Sequence, residues 1–132
     1  MKDTEYSMHR TLPGLTFDEA IEVVTGALKE EGFGILTMID VAETLKTKIG
    51  ADFRPYVILG ACNPGYAYRA LQAEEEIGSM LPCNVVVQEG ENGKTLISAI
   101  DPIASMQAVN NPSLGKVAEQ VQSKLQKVIE NV

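Results

Sequence analysis

Tyr56-Val57-Ile58-Leu59-Gly60-Ala61-Cys62-Asn63-Pro64 is the stretch on which the layout of the chain turns. Its first seven residues are an almost unbroken apolar run, the pattern of a strand buried on both faces in the middle of a sheet. Asn63 and Pro64 then open a helix. Asparagine is a favoured N-cap, and proline suits the first helical position, where its missing N–H costs nothing. A central strand therefore ends at Cys62, and a helix running through Tyr66, Ala70 and Leu71 toward Glu74–Glu76 follows at once.

Upstream of this stretch, Thr16-Phe17-Asp18-Glu19 has the form of a capping box, in which a threonine hydroxyl and a glutamate carboxylate satisfy each other's exposed amides. Phe17, Ala20, Ile21, Val24 and Leu28 recur at helical spacing, so an amphipathic helix covers 17–31 and Gly32 stops it. A strand over Glu5–Leu12 precedes that helix, and another over Phe33–Ile39 follows it with apolar residues on both faces. Asp40 caps a short helix that reaches Ile49 and ends at Gly50.

Downstream, Leu81-Pro82 breaks the helical pattern and Cys83–Gln88 reads as a strand with Cys83, Val85 and Val87 on one side. Asn92-Gly93 is a strong hairpin signal, which makes Thr95–Ile100 its partner strand. Asp101-Pro102 starts a brief helical piece. The spacing of Val117, Val121, Leu125, Val128 and Val132 gives a final helix after Pro112. The order is β-α-β-α-β-α-β-β-α. It predicts an α+β fold in one domain over residues 1–132: a two-layer α/β sandwich with one antiparallel or mixed sheet and helices mainly on one face. The hairpin excludes a purely parallel sheet.

Composition narrows the function classes. Eleven basic against eighteen acidic residues give a net charge of −7, and Lys46 and Lys48 are the nearest thing to a basic cluster. Phosphate-tracking surfaces need clustered Lys and Arg, so neither nucleic acid nor an acidic membrane is an expected partner. Two cysteines are too few for a stapled secreted scaffold, and the start Met1-Lys2-Asp3-Thr4 has no apolar leader region. A cytoplasmic location is expected.

Three stretches carry a family resemblance. They are Gly34-Ile35-Leu36-Thr37 with Asp40-Val41; Arg54-Pro55-Tyr56 leading to Leu59-Gly60-Ala61-Cys62-Asn63-Pro64 and Ala70-Leu71-Gln72-Ala73-Glu74; and Leu81-Pro82-Cys83-Asn84-Val85 with Ser98-Ala99-Ile100-Asp101-Pro102. Together, from about Thr16 to the C-terminus, the chain resembles the family called Domain of Unknown Function 302. Two Cys-Asn units, one before a proline and one after, make the resemblance specific. It implies a two-layer sandwich related to the TATA-binding-protein fold and a homodimer. It implies no activity, because function resides in sites rather than scaffolds.

Cys62 is the sharpest candidate for chemistry. Placed just before a helix N-terminus, its sulfur would favour the thiolate, which attacks electrophiles and binds soft metals. The plainer reading is that it shares a strand face with Tyr56 and Ile58 and fills space. Cys83 reads as packing beside Val85 and Val87, and its interest comes from pairing with Cys62. Topology decides whether the two meet. One continuous helix over 64–80 would be about 25 Å long and would carry the cysteines to opposite ends of the sheet. A break near Glu74–Glu76 would return both Cys-Asn units to one rim.

Tyr66 and Arg69, at i and i+3, are candidates to hold an anionic ligand or else pack as a helix flank. Asn63 and Asn84 are candidates to orient a ligand. Two sulfurs alone make an incomplete zinc site, and His9 is the single histidine available as a third ligand. No Ser-His-Asp grouping or glycine-rich phosphate loop is present. The sequence therefore leaves three readings. The first is a module binding a small molecule or soft metal near Cys62-Asn63. The second is a thiol-dependent redox or transfer enzyme using Cys62 with Cys83. The third is a homodimeric interaction protein.

Overall fold

Five strands form one sheet: β1 (Ser7–Leu12), β2 (Gly34–Asp40), β3 (Tyr56–Cys62), β4 (Cys83–Glu89) and β5 (Thr95–Ile100). The order across the sheet is β1-β5-β4-β3-β2, and every neighbouring pair is antiparallel. These positions come from a computed structural model that describes residues 4–132. Five α-helices lie among the described residues: α1 (Phe17–Glu30), α2 (Val41–Ile49), α3 (Pro64–Ala73), α4 (Pro102–Met106) and α5 (Pro112–Asn131).

The local signals do what their chemistry predicts. Thr16 Oγ1 accepts from the Glu19 amide at 3.2 Å and Glu19 Oε1 accepts from the Thr16 amide at 3.0 Å, closing the capping box. These bonds from Thr16 hold the Glu19 carboxyl below its usual range. Asp40 accepts from the Glu43 amide at 3.0 Å and opens α2. Between β4 and β5, Asn92 takes the left-handed conformation at φ 61°, and Gly90 donates to the Lys94 carbonyl at 2.7 Å. The hairpin is built from the Asn-Gly pair that announced it.

The main core lies between one sheet face and two helices. Ala20, Val24 and Leu28 of α1 and Leu125, Val128 and Ile129 of α5 meet Val57, Leu59, Val85, Val87 and Ile97 of the sheet. Burial of such side chains is the principal driving force, and truncating one of the fully buried leucines costs about 2–5 kcal/mol. A smaller second cluster, Ala70, Ile77 and Leu114, sits where α3 and its continuation meet the start of α5.

The second strand carries apolar residues on both faces, as the sequence reading has it. β2 is an edge strand, however, and almost all of it is exposed. Only β3 pairs with it, and a bulge between Ile35 and Thr37 shifts which residues face inward. α2 has no buried residue, so it leaves that edge open. No helix among the described residues is long and apolar enough to cross a membrane.

Candidate functional site

The decisive local event is the end of α3. The helix stops at Ala73, ten residues after it starts, and a tighter 3₁₀ segment runs over Glu75–Met80. Asn111, at the start of α5, donates through Nδ2 to the Ala73 carbonyl at 2.9 Å and to Glu74 Oε2 at 2.8 Å. Its Oδ1 accepts from the Ser113 amide at 3.0 Å, so one side chain ends α3 and begins α5. Ile77, 1% exposed, pins the 3₁₀ segment against Ala70 and Leu114.

Because the helix breaks there, β4 returns beside β3 and antiparallel to it. Cys62 closes β3, Cys83 opens β4, and Cys83 stands directly opposite Ala61. The cysteines therefore occupy one rim of the sheet. The continuous 25 Å helix that would have parted them does not form. Opposed residues of an antiparallel pair lie about 4.5–5.5 Å apart, and one residue along the strand adds about 3.3 Å, which puts the two cysteine Cα atoms roughly 6 Å apart.

Both cysteines border the same cavity. It measures about 300 Å³ and is enclosed by the rim, α3, α4 and α5, with Tyr66, Ala67 and Ala70 on one side and Met106, Leu114, Val117, Ala118 and Val121 on the other. Leu36 and Leu71 also line it and are 67% and 46% exposed, which places its mouth between the β2 edge and α3. The wall is almost entirely carbon and sulfur.

Strand alternation assigns Cys62 to the face of Tyr56 and Ile58, yet the chain turns at Asn63 and the residue reaches the cavity. Cys83 keeps the face of Val85 and Val87, both fully buried. Burial pushes its thiol up to about 11, and a negative charge on nearby Cys62 would push it the same way. The two cysteines are thus electrostatically close, and both are partly buried.

Asn63 departs from its expected role. It sits at the N-cap position with extended backbone, but its side chain caps no amide of α3. Nδ2 points instead to the Glu31 carbonyl, 3.4 Å away at the end of α1. Gly32 makes this approach possible: at φ +88° it turns the chain out of α1, and a Cβ there would lie 2.9 Å from Asn63 Nδ2. Tyr66 lines the cavity. Arg69 does not. Its guanidinium lies over the Tyr66 ring at 5.0 Å and reaches Gln120 Oε1 at 3.4 Å, so the pair is a packed helix flank.

Asn84 is exposed and pairs with Gly60, outside the cavity wall. His9 stands on β1 opposite Ser98, at the far side of the sheet from β3. Among the described residues no group of three or more His, Cys, Asp or Glu side chains is arranged to hold a metal ion. Sequence reasoning found Cys62, Asn63, Tyr66 and Cys83 but missed Ala118, Met106, Leu36 and Leu71. The one available signal was the small Ala118 inside the apolar stripe of the last helix, which leaves room where a larger side chain would fill it.

The fold and the cavity define an α+β sandwich with a five-stranded antiparallel sheet and a thiol-lined pocket at one rim. The family model described as "Domain of unknown function DUF302" matches residues 8–132, and the chain belongs to that family. It is similar to a solved structure described as the crystal structure of an uncharacterized conserved protein DUF302 from Bacillus stearothermophilus. The two share 34% identity with a TM-score of 0.88, over 96% of this chain and 98% of that one. No curated protein matches it.

Proposed function

We propose that the chain is a binding module for a small, mainly apolar molecule held beside Cys62 and Asn63. The observation that carries this reading is the cavity of about 300 Å³, at the lower end of small-molecule sites, with its apolar wall and few polar groups. Tyr66, Asn63 and the two thiols are the groups available to orient a ligand. A small molecule is favoured over a soft metal ion, because the two sulfurs have no third histidine, cysteine or carboxylate beside them among the described residues. Titration with the uncharged fluorophore N-phenyl-1-naphthylamine tests it. Saturable enhancement that Ala118→Leu abolishes is expected, and unsaturable or unchanged binding would sink the reading.

A homodimer is the second reading, and β2 favours it. This edge strand has one charge, Asp40, and exposes Leu36, Met38 and Ile39, alongside unpaired backbone groups. Two copies paired along β2 about a two-fold axis would cover those side chains and the nearby cavity mouth. Light scattering should give twice the chain mass, reverting to one chain mass in Met38→Lys. A monomeric native protein excludes it.

A further inference from the structure

We infer that Cys62 and Cys83 act as a paired dithiol that reduces a small apolar disulfide bound in the cavity. The substrate class rests on the binding reading above, whereas the pairing of the sulfurs rests on the neighbouring places of Cys62 and Cys83 at one rim and on the cavity that both residues border. A Cα separation of roughly 6 Å falls inside the range a disulfide spans. Both residues border one cavity, Cys62 at the strand end where the chain turns, and Cys83 inside among valines.

That asymmetry sets the order of events. Cys62 gives its proton to solvent, and its sulfur attacks one sulfur of the bound R–S–S–R. The ligand's S–S bond breaks, and the first RS⁻ leaves and takes a proton from water. Cys83 then loses its proton to solvent and attacks the Cys62 sulfur, expelling the second RS⁻, which is protonated in turn. The ligand gains two electrons and two protons, and the protein loses the same number as a Cys62–Cys83 bond forms. A dithiol reductant resets it by the reverse exchange. Cys83, packed against the main core, serves as the second nucleophile, because its attack is intramolecular.

The wall selects the substrate. Among the described residues no cationic or anionic side chain lines the cavity, and the guanidinium carried by α3, that of Arg69, is engaged with Tyr66 and Gln120. A charged disulfide would be desolvated there without a counter-charge, which costs far more than burying an alkyl one.

The experiment mixes fully reduced protein with dipropyl disulfide or glutathione disulfide and follows intact mass and propanethiol release. The expected product with dipropyl disulfide is a chain lighter by two hydrogens, with two propanethiols released. It should form about tenfold or more faster than with glutathione disulfide. Cys83→Ser should stop at one propylthio adduct, and Cys62→Ser should react about tenfold more slowly. Wild-type protein that binds the naphthylamine probe but halts at the propylthio adduct overturns the dithiol and leaves the binding reading standing. Protein that closes the disulfide but neither binds the probe nor prefers the apolar substrate overturns the cavity's role and the substrate class.

Discussion

The side-chain amide of Asn111, the cap of the last helix, donates to the carbonyl of Ala73 at 2.9 Å, at the residue where the third helix stops. Asn111→Ala removes this bond together with the cap on Ser113 and should cost about 1–2 kcal/mol in urea unfolding. Asn111→Asp separates the two roles. Aspartate still caps Ser113 but faces Glu74 with a like charge and cannot donate to Ala73. It should be as damaging as alanine near pH 7. Full stability of the aspartate variant at neutral pH would show that the Ala73 bond does not matter.

Gly60 lies opposite Asn84 with no room for a side chain: a Cβ there would run into Thr37 Oγ1 and come within 2.9 Å of Pro82 Cγ. Gly60→Ala should therefore destabilise by about 1–3 kcal/mol. Adding Thr37→Ala should return part of that loss, since it removes one of the two obstacles. Additive losses in the double variant would refute the contact.

Asp101 ties the rim to α5. It accepts from the Ile103 amide at 2.9 Å, capping α4, and from Gln122 Nε2 at 3.3 and 3.2 Å through its two oxygens. Asp101→Ala should lower thermal stability by about 1–2 kcal/mol, and Gln122→Ala by less, because the cap then survives. Equal losses in both variants would mean that the cap carries little.

Cys83 should make the protein alkali-sensitive. Its thiol in the fold is raised from an ordinary 9.0 to about 11, chiefly by burial. A raised value stabilises the fold fully below pH 9.0, and that contribution is lost as pH climbs from 9.0 toward about 11, because the unfolded chain ionises first. The shift corresponds to a loss of about 2–3 kcal/mol at most. Urea denaturation of wild type and Cys83→Ala at pH 8 and pH 11 measures it. An identical alkaline decline in both proteins would assign the effect elsewhere.

Much of the fold was legible because its punctuation is chemical and local. The Thr16–Glu19 box, Asp40, Pro64 and Asn92-Gly93 each act within a few residues, and each sits at the boundary it announces. The break at Glu74 was readable only as one of two alternatives, because its causes are distant: Asn111, thirty-eight positions from Ala73, and the burial of Ile77. The same holds for the site. Cys62 and Cys83 stand out by residue type, but their meeting depends on strand order, and the cavity depends on small side chains of α3 and α5 facing each other. Asn63 was misjudged for a related reason. Its sequence neighbours favour a cap, while Gly32, thirty-one residues earlier, brings the α1 terminus close enough to draw its side chain away.

The separation of the small Ala70–Ile77–Leu114 cluster from the main core has a consequence for motion. The segment between the two cysteines is fastened by few buried side chains, so it can lift while the sheet and its two long helices stay intact. Amide hydrogen exchange over residues 64–80 should then proceed through a partial opening cheaper than global unfolding, and each opening would air the space beneath. The pocket's lid and the protein's framework are held by separate fastenings, so one can loosen without the other.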